Sequence, residues 1–247
     1  MFLHNTILPG LLLKLNIGGD DANLVAGEYT DLKEGGDFKS PECLKLLDEA
    51  DIVVTNPPFS EFGEYIRTLS EQNKTFLVVG NMNAISYKEI FPLIKNDKIW
   101  LGWRSLNKDM FFNVPDDYKI WLKENKKEGS AYKVIDGVVF GRIASVCWFT
   151  NLNHIKRHVS LLGNKRYDPD YYVKYDNYNA INVDKVSEIP VDYRGLMGVP
   201  ITFLGKYNPD EFEIIGEANH GSDNQYDLFK PKINGKEKFK RLIIKRR

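Results

Sequence analysis

Between residues 36 and 103 the chain alternates two apolar patterns, short β-branched runs and stretches with a helical period. Asp51-Ile52-Val53-Val54-Thr55 predicts a strand buried on both faces, and Thr75-Phe76-Leu77-Val78-Val79 and Lys98-Ile99-Trp100-Leu101 predict two more. Ser40-Pro41-Glu42 opens a helix with a cap residue, a first-turn proline and an early acid; Leu44, Leu47 and Ala50 fall on its inner face. A second helix runs from Ser60 to about Glu71 with Phe62, Ile66 and Leu69 inward, and Ser86-Tyr87-Lys88-Glu89 has the capping-box spacing that opens a third. This alternation predicts an α/β fold, a doubly wound parallel sheet with helices on both faces. Beyond Arg104 the rhythm is lost: Asn107 to Arg142 reads as a polar, irregular insertion, before Ser145 to Thr150 returns as a buried strand. Trp100, Trp103, Trp121 and Trp148 read as core. Ten of the 13 tyrosines lie from Tyr118 onward, and a boundary near residue 150 separates a domain over 1–150 from a Tyr-rich, basic region over 151–247.

At 247 residues, 43% hydrophobic and 28% charged, the composition is that of an ordinary folded protein. A membrane span needs ~18 apolar residues, and the longest candidate, Phe2 to Ile17, is broken by Pro9 and Lys14 and has no basic lead-in. Cys43 and Cys147 form no Cys-x-x-Cys pair and read as reduced and buried, which suits a soluble cytoplasmic protein. Bases and acids balance at 34 each, yet Glu28 to Glu64 holds ten acids against three bases, and Lys230 to Arg247 nine bases against Glu237 alone. A basic tail by itself is ordinary solvated chain. Beside a catalytic motif it suits a polyanion.

Asn56-Pro57-Pro58-Phe59 supplies that motif, directly after the Asp51–Thr55 strand. A loop at the carboxyl end of a parallel strand overlooks the crevice where doubly wound folds bind ligands. Two prolines fix the backbone in extended form and remove two donors, so the carbonyls point outward as rigid acceptors. The Asn56 side-chain oxygen and the Pro57 carbonyl can then accept both hydrogens of an exocyclic amino group, while Phe59 stacks on its ring. Two such acceptors free the lone pair of a weak aromatic amine for in-line attack on an activated methyl group, without a metal or a covalent nucleophile. The bland alternative is a strand ending in a proline turn. Upstream, Gly36-Asp37-Phe38 places an acid and an apolar neighbour where they can meet an adenine's amino group and ring, although Asp37 alone also reads as a turn residue. Asn81 and Asn83, after a strand end, border the same crevice. His154 and His158 lack a third ligand and read as a solvated or DNA-facing surface, with no metal.

These residues resemble the amino-methyltransferases that use S-adenosylmethionine. Gly80-Asn81-Met82-Asn83-Ala84-Ile85, Cys147-Trp148-Phe149-Thr150-Asn151-Leu152, Lys174 to Val183 and Met197 to Leu204 narrow the likeness to the EcoRI-type adenine-specific DNA methyltransferases, from about Gly36 to the end of the chain. The resemblance implies a Rossmann-like methyltransferase fold followed by a mixed α+β target-recognition region. It implies site-specific N6 methylation of adenine in double-stranded DNA by base flipping. The catalytic residues would be Asn56, Pro57, Pro58 and Phe59, with Asp37, Phe38 and Asn56 toward S-adenosylmethionine. Lys156, Arg157, Lys165 and Arg166, with Lys238, Lys240 and Arg241 of the basic tail, would contact DNA.

Each βαβ unit needs ~30 residues, so the cofactor's methionine-binding loop, two units upstream, calls for ~60 residues before Asp37. Only 36 precede it, and Ile17-Gly18-Gly19-Asp20-Asp21 reads as an ordinary turn. The expectation is therefore a fold without its N-terminal strands, completed by a partner chain or left as a non-catalytic DNA-binding remnant. A protein-glutamine methyltransferase is a third reading, disfavoured by Phe59 and the basic C-terminal region.

Overall fold

A computed structural model of the chain describes residues 11–18, 23–32, 37–104, 106, 108–218 and 230–247. Strands β1 (Leu11–Gly18) and β2 (Asn23–Asp31) pair as an antiparallel hairpin that the periodicity did not predict; Gly19 to Asp21, like Phe2 to Gly10, lie outside the described residues. Helix α1 (Pro41–Glu49) starts where Ser40 accepts the Cys43 amide at 3.1 Å. It buries Leu47 and Ala50, but Leu44 is 38% exposed and not part of the inner face. Strand β3 (Ile52–Thr55) leads through a 3-10 turn (Phe59–Glu61) into α2 (Phe62–Glu71), which buries Phe62, Tyr65, Ile66 and Leu69. Strand β4 (Thr75–Asn81) follows.

The third helix, α3 (Phe91–Lys95), starts only at Phe91. Ser86 does not cap it, because it closes a 3-10 turn (Met82–Ser86) and spends its hydroxyl on the buried Glu217 carboxylate at 2.5 Å. Strand β5 (Trp100–Leu101) ends the alternation. The stretch expected to be irregular is ordered instead, with β6 (Met110–Asn113), α4 (Asp116–Asn125), β7 (Tyr132–Ile135) and β8 (Val138–Ile143). Its strands form an antiparallel sheet in the order β6-β8-β7 over a small core of Leu122, Tyr132 and Val139. The chain then returns as β9 (Val146–Thr150).

The main sheet has the order β3-β4-β9-β5, and it is mixed, not all-parallel. β3 and β4 are parallel as expected, whereas β9 inserts between β4 and β5 and runs against both. The insertion leaves from the carboxyl end of β5 and comes back at the same end of the sheet, so the next strand must run the other way. As the edge strand among the described residues, β3 buries Val53 and Thr55 but only half-buries Ile52 and Val54. Trp103 is 62% exposed and Trp121 42%, so neither is core; Trp103 follows the end of β5 and Trp121 lies on the outer side of α4.

After Asn151 the helical content of the described residues is confined to 3-10 turns at Ile155–His158, Val186–Glu188 and Ile201–Lys206, in a stretch interrupted by Pro169, Pro190, Pro200 and Pro209. Strands β10 (Ala180–Asn182), β11 (Leu196–Val199), β12 (Phe212–Ala218), the hairpin β13 (Lys232–Ile233) and β14 (Lys236–Glu237), and β15 (Arg241–Arg246) complete the chain. The second sheet runs β10-β11-β15-β12. The basic C-terminal run is therefore no free tail: β15 lies inside this sheet, with Leu242, Ile243 and Ile244 at most 1% exposed. One buried cluster joins both sheets, from Leu47, Val53 and Phe149 to Ile181, Phe212 and Ile244. Cys147 is buried, and burial pushes its thiol up to about 12, whereas Cys43 is only half-buried, contrary to expectation. No helix among the described residues is long and apolar enough to cross a membrane.

Candidate active site

The corner begins where β3 stops. Thr55 pairs with Val78, so β4 continues for three residues past the end of β3, ~10 Å at strand rise, and forms a wall beside Asn56. Asn56 is exposed, and no described residue hydrogen-bonds its amide group. Pro57 is buried, which anchors the corner, while Pro58 is exposed and Phe59 is 39% exposed. The Pro58 carbonyl is spent on the Glu61 N–H at 3.1 Å, inside the 3-10 turn. The Pro57 carbonyl receives no backbone N–H from a described residue. The corner thus presents an amide oxygen, a fixed carbonyl and an open aromatic ring, the combination that can grip an amino group on a flat ring.

Asp37 stands in the turn before α1, where its backbone carbonyl accepts from Ser40 and its Oδ1 accepts from the Lys39 N–H at 2.9 Å. Its side chain stays exposed. Phe38 is half-buried and packs edge-on to Tyr65 of α2, with ring centroids 5.0 Å apart. Lys39 adds an ion pair to Glu64 at 2.8 Å, and the Glu64 hydrogen bond holds its ammonium above the ordinary lysine value. The Asp37–Phe38 turn is therefore fastened to the helix that follows the corner. Burial also pushes the Tyr65 phenol well up, which keeps it neutral as a packing ring.

One positioning residue, Gly80, escaped the sequence reading of roles. Gly80 lets Phe62 lie against β4, since a Cβ there would come within 2.4 Å of the Phe62 ring and 3.0 Å of Phe149. A glycine inside a strand marks such a close approach, and that signal was legible. Asn81 accepts the Asn83 amide at 2.8 Å and so turns the chain at the end of β4; Asn83 is exposed.

The residues expected to meet DNA divide into two groups. Lys165, Arg166 and Lys156 remain at or near the surface, although Lys156 donates to the Trp103 carbonyl at 2.7 Å, and partial burial with Lys206 nearby lowers its pKa. Arg157 faces inward instead, only 8% exposed at its side chain; it pairs with Asp97 and lies 3.5 Å from the Trp100 ring centroid. Lys240 donates to Ser86 at 2.7 Å beside Glu217, and Arg241 pairs with Asp184 at 3.0 Å. Lys238 is half-buried beside them. His154 lies 3.1 Å from the Leu101 carbonyl and His158 2.8 Å from Asp210, so both rings have protein partners.

The Type II methyltransferase M.EcoRI of Escherichia coli is 44% identical over 212 residues, 85% of this chain and 62% of that protein. M.MgeORF184P of Mycoplasma genitalium is 41% identical over 232 residues, covering 88% and 71%, and M.MpnI of Mycoplasma pneumoniae 36% over 236 residues, covering 87% and 70%. The chain thus spans a little over three fifths of the length of M.EcoRI. No solved structure matches it. The family model described as adenine-specific methyltransferase EcoRI matches residues 14–247, so the likeness reaches upstream of Gly36 into the β1–β2 hairpin. On that match, and on relatives whose sequences run alongside most of its length, the chain belongs to the EcoRI methyltransferase family.

Proposed function

We propose that the chain methylates the N6 amino group of adenine at a specific site in double-stranded DNA, as the modifying partner of a restriction system. Residues 1–150 would form a partial catalytic domain and 151–247 a target-recognition region. The observation that carries this reading is the open corner at the end of β3: an exposed Asn56, a buried Pro57 and an exposed Phe59. The Asn56 amide oxygen and the Pro57 carbonyl accept the two amino hydrogens of a flipped adenine and hold its nitrogen lone pair free. Phe59 stacks on the ring and returns ~1–3 kcal/mol of the few kcal/mol that flipping costs. Holding the amine in line at ~3–3.5 Å can contribute up to ~7–11 kcal/mol.

The exposed Asp37 carboxylate and the half-buried Phe38 fit the amino edge and ring of an adenine. These two residues and Asn56 would hold S-adenosylmethionine, which when bound supplies an electrophilic sulfonium methyl group. A further segment or partner chain meeting its methionine end belongs to the same proposal.

Asn56→Ala tests the reading. Asn56 is exposed, so stability should change by less than ~0.5 kcal/mol. Methyl transfer from tritiated S-adenosylmethionine to duplex DNA should fall by ~10²–10³-fold or more, as for removal of a preorganised polar group, while duplex affinity stays within about twofold. Near-normal turnover would remove Asn56 from the chemistry.

A further inference from the structure

The module between β5 and β9 lies beyond the carboxyl ends of β3, β4 and β5, the end of the main sheet at which the Asn56 corner also stands. It leaves after Leu101 and returns at Ser145, whose carbonyl accepts the Met82 N–H at 2.8 Å just beyond the end of β4. Its frame is built: Arg142 ties Asp109 at 2.7 Å to the Ser130 carbonyl at 2.6 Å, beneath the Leu122, Tyr132 and Val139 core. With that core satisfied, α4 still leaves Tyr118 46% exposed and Trp121 42% exposed. The two rings stack face to face, 5.3 Å between centroids and 9° between planes, and the Lys126 ammonium lies 5.3 Å from the Trp121 ring. Residues 116–133, which include the whole of α4, carry five lysines against Asp116, Asp117, Glu124 and Glu128, and Glu128 is engaged with the Val134 amide at 3.1 Å. Lys119 is neutralised by Asp116 at 2.8 Å, while Lys123 and Lys127 stand exposed.

A flat aromatic pair ringed by exposed lysines is poorly suited to an apolar protein face, which would strip those ammonium groups of water without giving them counter-charges. It suits bases and phosphates, which offer both. We propose that this module is a nucleic-acid-contacting element, in which Tyr118 and Trp121 stack on an unpaired base and Lys123, Lys126 and Lys127 meet phosphates. The inference rests on the DNA reading above and adds a DNA-facing surface outside residues 151–247.

The test uses the full 247-residue chain and a fluorescein-labelled DNA duplex with one unpaired adenine, followed by anisotropy across a salt series. A stacked base is worth ~1–3 kcal/mol, so Trp121→Ala should weaken binding ~5- to 150-fold, and Tyr118→Ala should weaken it in the same direction. The triple Lys123→Gln, Lys126→Gln, Lys127→Gln should lower the slope of log K against log salt by ~0.9 for each phosphate that is no longer neutralised. Circular dichroism on each variant confirms an unchanged fold, which exposure of all five side chains leads us to expect. Variants that bind like the unsubstituted chain overturn this inference and leave the DNA reading intact. A change in sedimentation mass with unchanged DNA affinity overturns it in favour of a protein contact. An unsubstituted chain that binds no duplex overturns both readings.

Discussion

Gly80→Ala puts one methyl group into the joint that seats the Asn56 corner. The added Cβ would lie 2.4 Å from Cε2 and Cζ of Phe62 and 3.0 Å from Cε2 of Phe149. Ordinary carbon contact is ~3.5 Å, so the Phe62 ring must withdraw by about 1 Å. The strand has little room to yield in its place, because β9 holds it at Gly80, opposite Cys147, and β3 holds it two residues earlier at Val78. Nor can the rings drift freely: Phe62 is 1% exposed, Phe149 is fully buried, and their centroids are 4.9 Å apart. Overpacking of this kind costs ~1–3 kcal/mol, against ~0.5–1 kcal/mol gained by replacing glycine within a strand. The clash wins, and a net loss of ~1–2 kcal/mol is expected in urea unfolding, partly recovered when Phe62→Leu is added. Phe62 lies three residues beyond Phe59, and a shift of ~1 Å at a reacting geometry can cost ~10²-fold, so methyl transfer should fall more than stability does. A Gly80→Ala protein within ~0.5 kcal/mol of the original, with Phe62→Leu additive to it, would refute the argument.

Deleting Lys230 to Arg247 should unfold the protein and not merely weaken its grip on DNA. It removes β15 with its three buried side chains, each worth ~1.5–3 kcal/mol, from a total that is typically ~5–15; a truncated chain with native circular dichroism would contradict this. Arg157→Ala should cost ~1–3 kcal/mol in urea unfolding, chiefly because Trp100 loses the guanidinium packed on its ring, since Asp97 is 42% exposed and stays hydrated, while the salt slope of DNA binding stays put. A changed slope with little loss of stability would return Arg157 to the DNA surface. Native protein at pH 8 should react with a thiol reagent at Cys43 alone, since burial holds the Cys147 thiol near 12 and out of reach; two fast thiols would show the core to be looser than described.

Local patterns were legible where the chain's own neighbours settle the outcome. The α1 cap at Ser40, the inner stripe of α2 and the β3 and β4 strands follow from residues a few positions apart. Two hairpins are equally legible in the sequence. Asp136-Gly137 and Asn234-Gly235 both take positive φ, at 49° and 78° and at 51° and 72°, which a two-residue turn between twisted strands requires. Where a polar side chain had a distant partner, local reasoning failed. Ser86 has the spacing of a helix cap, but Glu217, far along the chain, takes its hydroxyl. Lys240 and Arg241 look like a solvated basic run, yet Ser86, Glu217 and Asp184 claim them.

The sequence by itself determined the corner: strand, two prolines and flanking Asn56 and Phe59 are contiguous, so their chemistry needs no knowledge of the rest of the chain. Only the tertiary structure decided that β9 runs antiparallel between β4 and β5, that Gly80 seats Phe62, and that Lys240 and Arg241 of the C-terminal run are claimed by Ser86, Glu217 and Asp184. The reason is physical. Contacts between distant segments are chosen by complementary shape and by the cost of burying an unpaired charge, and neither leaves a period or a spacing for the eye to follow along the chain.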